Sequence, residues 1–233
     1  MWSLTPAEAE ALLLSLKVAF WSVAASLPLG VALAWLLARR DFPGKSLFDA
    51  LIHLPLVLPP VVVGYFLLLL FGRRGFIGAP LDEYLGISFA FRWTGAALAC
   101  AVMGLPLLVR AVRQAFDAVD PGLEAAAATL GASPAWVFAT VTLPLVLPGL
   151  LTGMLLAFAR SLGEFGATIT FVSNIPGETQ TLPLAIYTFT QVPGGDAQAM
   201  RLCILSILLS LAALMASELL LRRANARASG RDA

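Results

Sequence analysis

Five long apolar segments alternate with polar connecting segments along this chain. The apolar segments cover residues 12–38, 51–71, 94–112, 145–172 and 202–221. Each has the length that a helix needs to cross the apolar core of a bilayer, which is about 20 residues. The pattern therefore predicts an all-α polytopic membrane protein, with five transmembrane helices in a single domain over residues 1–233.

The composition supports a membrane protein. Hydrophobic residues make up 59% of the chain and charged residues 12%, which departs far from the composition of soluble domains. Cys100 and Cys203 both fall inside apolar segments without other metal-ligating residues nearby. We interpret them as small buried side chains, and we expect no metal site.

The distribution of basic residues predicts the orientation. Lys and Arg are concentrated in cytoplasmic loops of membrane proteins. One side of the predicted arrangement carries four of these residues, Arg73, Arg74, Arg92 and Arg201. The other side carries nine: Arg39, Arg40, Lys45, Arg110, Arg113, Arg222, Arg223, Arg227 and Arg231. We therefore expect the C-terminus and the polar segment 120–144 in the cytoplasm. Because an odd number of spans separates the two ends, the N-terminus is expected on the periplasmic side.

The polar segment 120–144 predicts two short helices joined by a sharp bend. Asp120 and Pro121 form a helix start, since Asp caps orphan amides and Pro suits the first helical position. Strong helix formers follow as far as residue 130. Gly131 is placed to end this helix, and Ser133 followed by Pro134 repeats the start signal.

The second apolar segment is interrupted by prolines. Pro55, Pro59 and Pro60 lie in its cytoplasmic half, and proline removes a backbone donor and bends helices. One interpretation is a pliable segment that lines a pathway near an inner gate. The other is a kinked helix that only packs. His53 is the one histidine, and we interpret it as a structural or interfacial residue.

The fourth apolar segment carries small residues at a helical spacing. Gly149, Gly153 and Ala157 recur every four residues, a stripe that allows helices to approach closely.

The same stripe continues into polar and charged residues. Arg160 and Glu164 are one helical turn apart, so the two side chains are placed to pair. Such a pair either locks helix packing or marks a pathway. For an anion route, Arg160 with the hydroxyls of Ser161, Thr168 and Thr170 would form the lining. Glu164 would repel an anion, so we favour a structural role for it.

The sequence lacks the motifs of an enzyme or of a nucleotide site. Gly44-Lys45-Ser46 resembles the end of a phosphate-binding loop, but Arg39 stands where that loop needs its first glycine. There is no nucleophile elbow that the lone histidine could serve. We therefore predict no catalytic residues, no cofactor on this chain and no nucleic-acid binding. An intramembrane enzyme using His53, Arg160 or Glu164 and a non-transporting sensor remain as alternative hypotheses.

Within segment 120–144, one set of residues resembles a known motif. Glu124-Ala125-Ala126, then Gly131, then Pro144 is similar to the EAA loop of ABC-importer permeases. In that family the loop forms a cytoplasmic coupling helix that docks into a groove of a separate ATP-binding subunit. The resemblance therefore implies that ATP and Mg²⁺ are bound by a partner protein.

Three further stretches resemble molybdate permeases, with sulfate and tungstate permeases as near alternatives. They cover residues 42–65, 72–78 and 158–187. The resemblance implies the type I ABC-importer permease fold and a homodimer in the lipid of the inner membrane. It also implies two copies of the ATP-binding subunit and a periplasmic molybdate-binding protein. The expected activity is ATP-driven molybdate import, with Arg160, Ser161, Glu164, Thr168, Pro59 and Pro60 as candidate pathway or gate residues.

Overall fold

The computed structural model describes residues 4–228, and the regular structure in this part of the chain is helical. The first five helices are α1 (Pro6–Arg39), α2 (Lys45–Val57), α3 (Pro60–Phe71), α4 (Gly78–Leu85) and α5 (Trp93–Asp117). Next come α6 (Pro121–Thr129), α7 (Pro134–Val137), a π-helical turn (Phe138–Thr142) and α8 (Leu143–Leu162). The last three are α9 (Gly166–Val172), α10 (Leu182–Gln191) and α11 (Asp196–Ala228).

Four helical segments of the described chain have the length and apolarity of a membrane span: Pro6–Arg39, Trp93–Asp117, Pro134–Leu162 and Asp196–Ala216. Helices α2 and α3 pass the same test as a pair, although they meet at an angle of 111°. With this pair counted as one broken span, the number agrees with the five predicted segments. Arg231, one of the basic residues behind the predicted orientation, lies outside the described residues.

Helix α5 occupies the centre of the bundle and packs against α1, α8 and α9. Small residues permit this close packing. A Cβ added to Gly30 of α1 would lie 2.5 Å from Cδ2 of Leu108, and one added to Gly153 of α8 would lie 3.0 Å from its Cδ1. Leu108 of α5 is fully buried between these two glycines. The predicted small-residue stripe of α8 therefore faces α5.

The break between α2 and α3 has a local cause. Leu58 precedes one proline and Pro59 precedes another, and a residue before proline is driven out of the helical region. Both adopt extended backbone, with ψ of 144° at Leu58 and 132° at Pro59. The predicted proline interruption is therefore a true break. Helix α3 then packs on α9 so closely that a Cβ at Gly64 would lie 2.5 Å from the carbonyl oxygen of Ala167.

The fourth predicted span, residues 145–172, is not one helix. It begins earlier, because α7, the π-helical turn and α8 run as one segment from Pro134. It is also interrupted after Leu162, where Gly163 adopts φ −95° and ψ 7° before α9 begins at Gly166. The carboxylate of Glu164 accepts a hydrogen bond from the amide of Ala167 at 2.8 Å and so caps α9.

One ion pair and several hydrogen bonds tie α1 to α10 and α11 at one end of the bundle. Glu8 forms a capping box with Thr5 at the start of α1, and it is completely buried. Its Oε1 accepts a hydrogen bond from Nε of Arg201 near the start of α11 at 3.0 Å, and Nη2 of the same guanidinium lies 2.8 Å from it. The hydroxyl of Ser15 accepts from the amide of Leu182 at 2.7 Å and fixes the start of α10.

The connections between α3 and α5 and between α9 and α11 each contain a short helix. Helix α10 spans Leu182–Gln191. Helix α4 was not predicted, and it ends at Gly86, whose φ of 64° lies in the left-handed region.

Candidate functional site

The predicted corner of two helices in residues 120–144 is present, and local signals shape it. Asp120 Oδ1 accepts a hydrogen bond from the amide of Gly122 at 2.8 Å, as expected of a helix N-cap. At the other end of α6, Gly131 adopts φ 84°. Its amide donates to Ala128 O at 3.0 Å and the amide of Ala132 donates to Ala127 O at 3.3 Å, which is a Schellman motif.

The second half of the corner also follows the prediction. The hydroxyl of Ser133 accepts from the amide of Trp136 at 3.4 Å, and Pro134 takes the first position of α7. The helix then passes through the π-helical turn into α8, so Pro144 lies within a continuous helical segment. Because the π-helical turn directly precedes α8, the missing amide hydrogen of Pro144 is accommodated without ending the helix.

The outer surface of the corner is apolar and exposed. Leu130 at its tip is 88% exposed and Trp136 is 55% exposed. Between them lies an open, concave pocket with a volume of about 730 Å³. It is lined by Ala126, Ala127, Leu130, Gly131, Ala132, Ser133, Trp136 and Val141. Large apolar side chains in contact with water on a concave surface are typical of a protein-binding site.

The Glu124 carboxylate is turned toward the rest of the chain. Its Oε1 accepts a hydrogen bond from Nη2 of Arg39 at 2.9 Å and another from the hydroxyl of Thr142 at 2.6 Å. The exposed fractions of the side chains of Arg39 and Glu124 are 21% and 27%. Ala125 and Ala126 follow Glu124 on the exposed surface of α6.

A second, open cleft lies on the inner side of the corner. It has a volume of about 760 Å³ and is largely apolar, with Arg39, Glu124 and Thr142 at its polar end. The side chains Val31 and Trp35 of α1 form one wall, and Ala128 of α6 and Phe138 of the π-helical turn form the other.

The predicted pathway residues of the fourth segment lie at the break between α8 and α9. Arg160 Nη1 lies 2.7 Å from Glu164 Oε2, so the predicted pair is present. The Arg160 side chain is 27% exposed and that of Glu164 is 1% exposed. This agrees with a structural role for Glu164, and Arg160 is the more exposed member of the pair.

Ser161 and Thr168, two of the hydroxyl residues predicted for an anion route, are buried, and their hydroxyls form hydrogen bonds within the chain. The hydroxyl of Ser161 lies 2.9 Å from that of Ser22 on α1, and it donates to Ala157 O at 2.8 Å. The hydroxyl of Thr168 donates to Phe165 O at 2.9 Å. Pro59 is exposed and Pro60 is half-buried at the break between α2 and α3, and a Cβ at Gly166 would lie 2.8 Å from Cβ of Pro60. The proline break of the second apolar segment and the end of the fourth apolar segment therefore meet where α3 contacts α9.

Three polar partners in these sites were not predicted. The sequence predicted no contact between Arg39 and Glu124, and it predicted no role for Thr142 or Ser22. Arg39 and Glu124 are 85 positions apart, and Ser22 and Ser161 are 139 positions apart. No pattern within one segment reports such pairs. The available signal for Arg39 was its place in the last turn of α1 on the same side as Glu124.

Comparison with known proteins is consistent with this architecture. The chain is 61% identical to the molybdenum transport system permease protein ModB of Escherichia coli K12, over 97% of this chain and 98% of that protein. It is 42% identical to the sulfate transport system permease protein CysW of Synechococcus elongatus, over 76% of this chain and 62% of that protein.

Among solved structures, the fold is similar to a chain of the methionine ABC transporter MetNI. The TM-score is 0.65 at 18% identity, with 96% of this chain and 97% of that chain covered. A likeness at this identity concerns the fold, and it agrees with the type I importer permease fold expected from the sequence. Residues 26–226 match the family described as the binding-protein-dependent transport system inner membrane component. This multi-pass membrane protein therefore belongs to that family of transport-system permeases.

Proposed function

We propose that this chain is the membrane-spanning subunit of an ATP-driven importer that carries molybdate across the inner membrane. The observation that carries the proposal is the much higher identity, over nearly the whole chain, to a molybdenum permease than to a sulfate permease. Sulfate and tungstate, which are also tetrahedral dianions, are the alternative cargoes.

The cytoplasmic corner is the proposed contact with a separate ATP-binding subunit. Leu130 and Trp136 present apolar area, and the alanines of α6 give a thin helix that fits into a groove. Gly131 sets the angle between α6 and α7, so the shape of the corner depends on it. ATP and Mg²⁺ would be bound by the partner, and this chain would supply the surface that its movement displaces.

The proposed assembly is a homodimer around one pathway, with an ATP-binding subunit on each copy. A periplasmic binding protein would deliver the anion to the outer loops that contain α4 and α10. In this arrangement the N-terminus is periplasmic and the C-terminus cytoplasmic. The helix bundle would then be a two-state element, and the nucleotide state of the partner would shift its equilibrium between inward-open and outward-open forms.

For the pathway itself, we propose a role for Arg160 at the break between α8 and α9. Its guanidinium would attract the anion, while the pair with Glu164 would limit the positive charge and keep binding weak enough for release. Ser161 and Thr168 would contribute hydroxyls in a conformation that opens this region. The break at Pro59 and Pro60 would allow α3 to move against α9 as a gate.

The test is uptake into proteoliposomes that contain this chain, its ATP-binding subunit and its binding protein. Labelled molybdate is offered in competition with sulfate and with tungstate, with and without ATP on the side of the ATP-binding subunit. The expected result is ATP-dependent uptake that prefers molybdate. Preference for another anion would overturn the cargo, and absence of ATP-dependent uptake of all three anions would overturn the proposed function.

A further inference from the structure

The Glu124 carboxylate joins three separate elements at one oxygen atom. Arg39 is the last residue of α1, Glu124 lies in the first turn of α6, and Thr142 ends the π-helical turn before α8. Both the guanidinium and the hydroxyl donate to Oε1 of Glu124, at 2.9 and 2.6 Å. The carboxylate is therefore engaged within this chain.

Apolar packing does not hold α6 in place. None of the side chains of α6, all of which belong to the described part of the chain, is buried. Between α6 and α1 lies the open cleft of about 760 Å³ rather than a packed interface. With so little apolar burial, the hydrogen bonds of Glu124 are the specific contacts that fix α6 relative to α1.

The environment of the pair makes these contacts stronger than those of a surface ion pair. The charged side chains of Arg39 and Glu124 are both less than one-third exposed, so water screens them less than it screens a fully exposed pair. Removal of one partner leaves the other charge partly buried and unpaired, which disturbs the position of both elements.

We propose that Arg39 and Thr142 are positioning residues that hold α6 against the ends of α1 and α8 through the carboxylate of Glu124. The carboxylate then serves the interior of this chain rather than the surface of the ATP-binding subunit. This inference rests on the proposed function, in which α6 is the coupling helix. Through these two contacts, a displacement of α6 would move the ends of both α1 and α8.

The first test uses the purified chain alone, without its partners. Arg39→Gln, Glu124→Gln, the double variant and Thr142→Val are compared by thermal unfolding and by hydrogen exchange of residues 121–129. Arg40→Gln is the matched control, because Arg40 is the next residue and lies 5.7 Å from the ring of Trp35 without a carboxylate partner among the described residues.

We expect Arg39→Gln and Glu124→Gln each to speed exchange of α6 by about fivefold or more, and the double variant to add nothing further. Thr142→Val is expected to speed exchange less, and Arg40→Gln not at all. Additive effects of the two single variants, or an equal effect of Arg40→Gln, would overturn the proposal.

The second test exchanges the two charges. Glu124→Arg alone is expected to abolish most ATP-dependent uptake, and Glu124→Arg with Arg39→Glu to restore part of it, because the internal pair is re-formed. If the carboxylate instead contacts the ATP-binding subunit, the exchange gives no rescue and the proposal fails. If the unsubstituted chain does not transport, the proposed function is wrong. Hydrogen exchange would still show whether Arg39 and Thr142 hold α6 in place.

Discussion

Arg160 Nη1 lies 2.7 Å from Glu164 Oε2 across the break between α8 and α9. The other carboxylate oxygen of Glu164 accepts from the amide of Ala167 at 2.8 Å. One buried side chain therefore neutralises the arginine and caps the short helix that packs on α3. The Glu164 side chain is 1% exposed, which agrees with the structural role favoured from the sequence, whereas the Arg160 side chain is 27% exposed.

Replacement of Glu164 is therefore expected to destabilise the bundle. Glu164→Ala leaves Arg160 without its partner and the Ala167 amide without its acceptor, and the free energy of unfolding should fall by about 3 kcal/mol. Thermal unfolding in detergent measures this loss. Glu10→Ala is the control, because Glu10 is an exposed acid on α1. Equal effects of the two substitutions would contradict a structural role for Glu164.

Substitution of Gly131 is expected to be harmful because of the backbone conformation at this residue and not because a side chain would be crowded. Apart from Gly131 itself and its two chain neighbours, no atom of the described residues lies within 4 Å of the position that its Cβ would take, but its φ is 84°. Gly131→Ala should therefore cost about 1–2 kcal/mol locally and change the angle between α6 and α7. We expect reduced binding of the ATP-binding subunit and reduced uptake.

Gly163→Ala provides the matched control for Gly131→Ala. The space around Gly163 is also open, but its φ of −95° is accessible to alanine. Co-purification of the ATP-binding subunit with each variant compares the two positions. If Gly163→Ala reduces binding as much as Gly131→Ala does, backbone conformation is not the cause.

Much of the corner could be predicted because its signals are local. Asp120, Gly131 and Ser133 act on amides within a few residues, so the caps follow from the sequence itself. The proline break at residues 58–60 has the same local origin. Predicted segment lengths were less accurate, because a run of apolar residues does not reveal that Glu164 caps a new helix inside it.

The contacts that organise the site could not be predicted in the same way. Glu124 was recognised as a residue of the corner, but the donors that engage it come from α1 and from the π-helical turn. Their positions depend on how the spanning helices pack, and this packing is set by small residues such as Gly30 and Gly153 on either side of Leu108. Sequence spacing within one segment contains no information on such pairs.

The close contact of α3 with α9 predicts a graded effect of glycine substitutions. A Cβ at Gly64 would lie 2.5 Å from the backbone oxygen of Ala167, whereas one at Gly104 would lie 3.3 Å from Cβ of Ala157. Gly64→Ala must move the backbone and should cost about 1–3 kcal/mol. Gly104→Ala needs a shift of a few tenths of an ångström and should cost less.

Thermal unfolding of both variants tests this difference, and uptake tests its consequence for the proposed gate. We expect Gly64→Ala to reduce uptake by more than its loss of stability accounts for, because it separates α3 from α9. Equal stability of the two variants would contradict the close packing of α3 on α9.

The predicted orientation is testable with two exposed positions at opposite ends of the bundle. Tyr84 in α4 is 79% exposed and Leu130 at the corner is 88% exposed. Cys100 and Cys203 are free cysteines, so both are first replaced by alanine. Tyr84→Cys or Leu130→Cys is then introduced, and a membrane-impermeant maleimide is applied to intact spheroplasts and to inverted vesicles.

We expect Tyr84→Cys to react in spheroplasts and Leu130→Cys to react in inverted vesicles. Met103→Cys is the control for reaction at buried positions, since Met103 is 2% exposed at the centre of the bundle and should react in neither preparation. The expectation follows from the excess of Lys and Arg on the side of the corner. Labelling of Leu130→Cys in spheroplasts would reverse the orientation, and a corner outside the cell has no access to an ATP-binding subunit.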